Sequence, residues 1–226
     1  MKDIDYRIKC WYRGACNLEA EKCEKICIRY KEMNYLINNC GMSQAEKYLK
    51  TIYPQNNELQ SYLRLQQIKD NVVSFVESGR NLFIQSKNLQ TGKTTWSLKI
   101  LYKFFDEIWS GNGFRVRGYF LYVPEFLMNL KDFEYRETIE FKDIDKILKT
   151  VDLVVWDDIL AQELTPMEQN LISFYIDKRM QMDKANIFNG TIVNQENLEK
   201  LLGAKIAQRL NTNCELVTLV GTSRTK

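Results

Sequence analysis

Histidine is absent from this 226-residue chain. Its absence removes Ser-His and Cys-His nucleophile pairs and any mixed Cys/His zinc site, so acid–base chemistry must rest on carboxylates, lysine or bound water. Also missing is any run of about 18 apolar residues, the length a membrane-spanning helix needs. The opening Met1-Lys2-Asp3-Ile4-Asp5 is not that of a signal peptide. A soluble, cytoplasmic protein with no membrane partner is expected. Repeats and low-complexity tracts are lacking too. Charge is nearly balanced, with 32 Lys and Arg against 29 Asp and Glu for a net +3, which permits a polyanionic partner without demanding one. What the chain holds in quantity is core material. Hydrophobic residues make up 45%, with 4 Trp, 12 Tyr and 11 Phe, and the length suits one domain plus an accessory module.

Gly92-Lys93-Thr94-Thr95 follows the apolar run Leu82-Phe83-Ile84 and opens a long amphipathic stretch. That is the strand–loop–helix setting of a phosphate-binding loop. Here Gln90, Thr91, Gly92, Lys93, Thr94 and Thr95 form the loop and the helix start whose N–H groups face the phosphates. Lys93 reaches the terminal phosphates, and the Thr94 hydroxyl can hold Mg²⁺. A second element supports the first: Leu153-Val154-Val155-Trp156-Asp157-Asp158, an apolar strand ending in two carboxylates, has the Walker-B form. Together they make nucleotide binding the leading reading, with a chance tripeptide at a helix start as the alternative. The absence of histidine fits phosphoryl transfer, in which positioning and electrostatics carry most of the catalysis. The loop departs from G-x-x-x-x-G-K-[ST] at its first place, where Lys87 replaces glycine, and Leu89 and Gln90 sit where many such loops carry another. Lysine lacks glycine's freedom at positive φ, so an altered loop entry and reduced affinity are expected.

Four of the six cysteines cluster as Cys10, Cys16, Cys23 and Cys27, spaced C-x5-C-x6-C-x3-C. In a cytosolic chain such a cluster points to metal rather than disulfides, and four thiolates describe a structural Zn²⁺ site. Asn17 is placed to cap a helix from Leu18 to about Asn39, which would set Cys23 and Cys27 on one face. The alternative is packing, since Cys23, Cys27, Tyr30, Met33 and Ile37 form one apolar stripe. Cys40 and Cys214 read as packing residues. From Glu58 to about Ser78 an amphipathic segment predicts one helix linking two modules. Beyond it, apolar runs at Leu82–Ile84, Tyr119–Val123, Leu153–Trp156, Ile187–Thr191 and Leu216–Val220 alternate with helical patterns. Five such strands predict a three-layer α/β fold with a largely parallel sheet. Thr165-Pro166-Met167-Glu168 reads as a capping box, and Gly111-Asn112-Gly113 and Gly203 as helix stops. The expected organisation is residues 1–54 as a cysteine-rich module, 55–80 as a linker helix and 81–226 as the nucleotide-binding domain.

With this loop, Asp157-Asp158, the Leu202-Gly203…Arg209 segment and Arg224 in that order, the chain resembles the AAA+ ATPases of the DnaC/DnaI helicase-loader family, the phage-encoded loaders in particular. The likeness spans at least Asn71 to Arg224. Asn81-Leu82-Phe83-Ile84, Trp109-Ser110-Gly111-Asn112-Gly113-Phe114-Arg115 and Val154-Val155-Trp156-Asp157-Asp158 look like segments of that group, as does Tyr30-Lys31-Glu32-Met33-Asn34-Tyr35-Leu36. The resemblance implies a P-loop AAA+ core with a five-stranded parallel sheet, and a small helical zinc-bearing N-terminal domain that contacts a DnaB-type hexameric helicase. It also implies ATP, Mg²⁺ and single-stranded DNA as ligands, and self-assembly in the ATP-bound state. Because the sequence stops two residues after Arg224, no C-terminal helical lid is expected.

Carried over by motif, Lys93 would bind the β- and γ-phosphates, Thr94 and Asp157 the magnesium, and Asp158 would polarise the attacking water. The family usually has glutamate at that last place. Aspartate is a methylene shorter, so slow turnover is expected. Thr191 matches the polar sensor ending the fourth strand, with Asn194 as the competing choice and helix N-cap as the alternative role for that asparagine. Arg209 matches the arginine finger acting on a neighbouring subunit's ATP, and Arg224 the second sensor on the γ-phosphate. A DNA path is considered near Lys131, Arg136 and Lys142, although for any one of them a solvated basic face is the preferred reading. The rival functions are a non-catalytic helicase adaptor or inhibitor, to which Lys87 and Asp158 lean, and an IstB-like transposition helper, against which the cysteine-rich start argues. A small-molecule kinase is a distant third.

Overall fold

Every apolar run singled out in the sequence becomes a strand in the computed structural model, which describes residues 27–42, 52–55, 57–108, 114–191 and 197–221. The strands are β1 (Asn81–Ser86), β2 (Gly118–Tyr122), β3 (Leu153–Asp157), β4 (Ala185–Thr191) and β5 (Glu215–Leu219). They form one sheet in the order β2-β3-β4-β1-β5, and each neighbouring pair runs parallel. A parallel sheet needs helices on both faces, which is why its strands read as continuous apolar runs rather than alternating ones. All five residues of β3 are buried.

On one face α1 (Ile28–Asn38), α2 (Leu59–Asp70) and α3 (Val72–Glu77) pack with α4 (Lys93–Glu107). Their core includes Leu36, Ile37, Leu65, Phe75, Trp96, Leu101 and Phe105. The other face carries α5 (Val123–Asn129), α7 (Ile139–Thr150), α8 (Pro166–Gln181), α9 (Asn197–Leu202) and α10 (Ala204–Asn213), with the short α6 (Phe133–Glu137) between α5 and α7. Phe83, Phe126, Trp156, Tyr175, Phe188 and Leu210 form its core. The result is a helix–sheet–helix sandwich of three layers. The predicted capping box is in place: the Thr165 hydroxyl accepts from the Glu168 backbone, and the Glu168 carboxylate accepts from Thr165 N–H. Gly203, at φ 80°, separates α9 from α10.

Two elements differ from the sequence reading. The single helix expected from Glu58 to Ser78 breaks at Asn71, whose backbone (φ −113°, ψ 32°) leaves the helical region. Gln67 O accepts from both the backbone N–H and the side-chain amide of Asn71, at 3.1 and 2.9 Å, which closes the end of α2. Both halves are built into the sandwich, with Leu65, Ile68, Val72, Phe75 and Val76 buried. The second difference concerns α1, which joins the main core through Met33, Leu36, Ile37 and Cys40. Arg29, 4% exposed, reaches from α1 to the end of α4 and donates to Phe105 O, Asp106 O and Ile108 O at 2.9, 2.7 and 2.8 Å. A cation is thereby placed on carbonyls at a helix C-terminus, where unpaired acceptors and the helix dipole both favour it. Cys10, Cys16, Cys23, Asn17 and the Gly111-Asn112-Gly113 stop lie outside the described residues.

Candidate functional site

The sheet order brings the three strands that matter side by side. β3, β4 and β1 are neighbours, and they end at Asp157, Thr191 and Ser86. Ligands of open α/β sheets collect at the carboxyl ends of strands, where the connections diverge to opposite faces. The loop after β1 runs into α4, whose first residue is Lys93. Gly92 holds φ 97° as its N-cap, a conformation that glycine adopts without steric cost. Lys87 does not take the positive φ that its place in the motif suggested. The left-handed residue before Gly92 is Gln90, at φ 56°. The left-handed position thus falls three residues after Lys87.

Lys93 is buried, and its ammonium donates to Ser86 Oγ at 2.8 Å, Thr191 Oγ1 at 2.9 Å and Asn88 O at 3.4 Å. These partners are neutral oxygens. Burial lowers the lysine's pKa from its ordinary value, opposed by the nearby charges of Asp158 and Asp157. A cation held in this way, at the head of a helix and among N–H donors, is suited to an anion that would restore its solvation. One residue on, the Thr94 hydroxyl donates to Asp157 Oδ1 at 3.0 Å. A hydroxyl and a carboxylate oxygen at that spacing are the hard donors that Mg²⁺ prefers beside phosphate oxygens, so these residues fit a magnesium–nucleotide ligand.

Asp158 follows directly at φ 57°, an uncommon conformation for a non-glycine residue. Its backbone N–H donates to Asn189 Oδ1 at 2.9 Å, and the next N–H, of Ile159, donates to Asn189 O at 3.1 Å. Asn189 Nδ2 in turn donates to Ser97 Oγ on α4 at 3.1 Å. Ser86, Asn189 and Ser97 were not singled out from the sequence. The available signal was a polar residue inside the apolar run Ile187-Phe188-Asn189, since a buried amide in a central strand must find partners.

The fold thus brings together Lys93, Thr94, Asp157 and Thr191 by direct contacts, with Asp158 adjoining Asp157 on the turn. Arg209 stands apart on α10, partly exposed, and its guanidinium donates to Asp177 Oδ1 of α8 at 3.1 Å. Burial acts to raise the Asp177 carboxyl, but hydrogen bonds from Lys205 and Arg209 outweigh it and hold its pKa below the ordinary value. Arg224 and Asn194 lie outside the described residues. Among the zinc candidates only Cys27 is described, at the N-cap of α1, half-buried and free. Among the described residues no group of three or more His, Cys, Asp or Glu is placed to hold a metal. Of the basic residues considered for DNA, Arg136 is tied to Leu130 O at 2.9 and 2.6 Å, Lys142 lies 3.9 Å from Glu137, and Lys131 is exposed.

No protein-family model matches the sequence, and no curated protein matches it either. Solved structures do resemble the fold. A crystal structure of the DnaC helicase loader superposes with a TM-score of 0.65 at 20% identity, covering 78% of this chain and 99% of that one. A crystal structure of DnaI gives 0.61 at 18% identity, over 81% and 94%. The replication initiator DnaA bound to AMPPCP and single-stranded DNA gives 0.58 at 16% identity, over 76% of this chain and 51% of that one. The likeness is one of fold, a three-layer α/β sandwich around a parallel five-stranded sheet.

Proposed function

We propose that this chain is an ATP-dependent loader of a replicative, DnaB-type hexameric helicase, delivering it to single-stranded DNA. The observation that carries the reading is the contact set at the strand ends. Lys93 is held between Ser86 and Thr191, and Thr94 is bonded to Asp157, at the head of α4 in a fold shared with two loaders. In the proposed cycle Lys93 pairs with the terminal phosphates, while Thr94 and Asp157 hold magnesium, which supplies charge neutralisation and orients the phosphates. Asp158 orients the attacking water. Thr191, already on the lysine, would report the presence of a γ-phosphate. Arg224 is assigned to the same subunit's γ-phosphate, and Arg209 to that of a neighbour. The partly exposed Arg209, held by Asp177 within its own chain, is free to exchange that partner for a phosphate when subunits align.

The N-terminal segment is assigned to helicase contact, with Cys10, Cys16, Cys23 and Cys27 as ligands of one structural Zn²⁺. For DNA, Lys131 and Phe133, two positions apart and both exposed, form the preferred contact, because a cation suits a phosphate and an open aromatic face a base. A helicase adaptor without turnover is the second reading, favoured by aspartate at position 158.

The test uses purified full-length chain with Mg-ATP, a DnaB-type helicase and single-stranded DNA. A loader binds ATP, captures the helicase, and hydrolyses ATP faster with helicase and DNA present. An adaptor binds ATP and helicase without turnover. Absence of ATP binding would overturn both.

A further inference from the structure

Asn189 and Thr191 are two residues apart on β4 and so share one face, while Lys93 and Ser97 are four apart on α4 and share another. Two residues of strand rise about 6.6 Å and four residues of helix about 6 Å, so the two pairs can meet rung for rung. They do: Thr191 meets Lys93 at 2.9 Å, and Asn189 meets Ser97 at 3.1 Å. Asn189 and Ser97 are both fully buried, in a layer otherwise filled by Ile84, Ile100 and Ile187. An amide has no place in such a layer unless its bonds are satisfied, and here its oxygen takes the Asp158 N–H while its nitrogen donates to Ser97 Oγ. The β3–β4 ladder stops at Trp156↔Phe188. Past that point Asn189 takes over, receiving the N–H of Asp158 on its side chain and the N–H of Ile159 on its carbonyl. Gly190 leaves room for this turn on the opposite side. A Cβ there would lie 2.6 Å from Leu160 Cδ1 and 2.9 Å from its Cβ.

We infer that Asn189 is a positioning residue for hydrolysis, a step that rests on the ATPase reading above. It fixes the backbone of Asp158 in its left-handed conformation and ties that turn to the helix that receives the phosphates. Without its Oδ1 the Asp158 N–H loses its acceptor, and the carboxylate of a residue at φ 57° is no longer held in one direction. Lys93, Thr94 and Asp157 keep their own contacts, so nucleotide binding does not depend on Asn189. Ser97 is the second member of the tether.

The experiment measures ATP affinity and single-turnover hydrolysis separately in the full chain with single-stranded DNA, for Asn189→Ala, Asn189→Asp and Ser97→Ala. Asn189→Ala is expected to keep its ATP Kd within about twofold while the hydrolysis rate falls about tenfold or more, the split expected when an interaction serves only the transition state. Asn189→Asp keeps an oxygen facing the Asp158 N–H and is expected to recover most of that rate. Ser97→Ala is expected to lie between them. A purely structural role would lower melting temperature without separating rate from affinity. Parental rates in Asn189→Ala, or a rate that falls only in step with ATP affinity, would overturn the inference and leave the ATPase reading standing. If Asn189→Ala does not fold, the order parent, Asn189→Asp, Ser97→Ala in rate at constant affinity decides. Equal rates in all three overturn it. A parent chain that binds ATP but hydrolyses none overturns the ATPase reading and this inference together.

Discussion

At the residue scale, the proposed chemistry depends on Lys93, which the fold buries among neutral oxygens. Its pKa is lowered because burial penalises the charged form, and a bound triphosphate would raise it again. ATP binding at a pH between the lowered and the restored pKa should therefore draw protons onto the protein, while at a pH below both the uptake vanishes. Titration calorimetry in buffers of different ionisation enthalpy reads this directly, and uptake of the same size at both pH values would assign it to another group. Lys93→Ala should lose tight ATP binding with melting temperature unchanged or slightly raised, since the substitution removes a desolvated charge. A normal ATP affinity in that variant would sink the site assignment. The positions of Lys93 and Thr94 at the head of α4 and of Asp157 at the end of β3 were legible from motif spacing, and that of Thr191 at the end of β4 from the family resemblance. The left-handed Gln90 was not, because a pattern of missing glycines does not say which remaining residue takes the positive φ. Asn189 was hidden within a run that reads as apolar strand.

At the element scale, all five strands were legible, since a sheet covered on both faces demands continuous apolar runs bounded by polar residues. Helix ends were legible where a side chain marks them, as at Thr165-Pro166. Thr165→Ala should cost about 1 kcal/mol, a fall in melting temperature of about 2–4 °C for a chain this size, with ATP affinity unchanged. A drop confined to ATP affinity would contradict a purely capping role. The break at Asn71 was not legible. Leu65, Ile68, Val72, Phe75 and Val76 keep a helical pattern across it, so the apolar spacing does not mark where the backbone leaves the helical region. The placement of α1 was likewise hidden, because an amphipathic stripe does not reveal what covers it. Since Arg29 closes the end of α4 and Leu36 and Ile37 are 1% exposed, deleting residues 1–42 should lower the melting temperature and weaken ATP binding. A control deletion of residues 1–26 leaves α1 in place. Equal melting temperatures for the two deletions would show that α1 contributes nothing to the three-layer core.

At the scale of the whole molecule, the account requires a site completed between subunits. In the proposed function one chain supplies the strand-end cluster around Lys93, and Arg209 on α10 would serve the site of a neighbour. In phosphoryl transfer such an arginine is worth on the order of 10³-fold or more, so an isolated chain should turn over slowly and speed up as subunits align. The direct measurement is ATP hydrolysis by mixtures of Lys93→Ala and Arg209→Ala chains, with single-stranded DNA and a DnaB-type helicase present. Each variant alone should be nearly inactive. In the mixture, an Arg209→Ala chain keeps an intact phosphate site and a Lys93→Ala chain an intact arginine, so activity should return at a fraction of the parental rate. Mixtures that assemble as the parent does yet recover no activity would contradict the account.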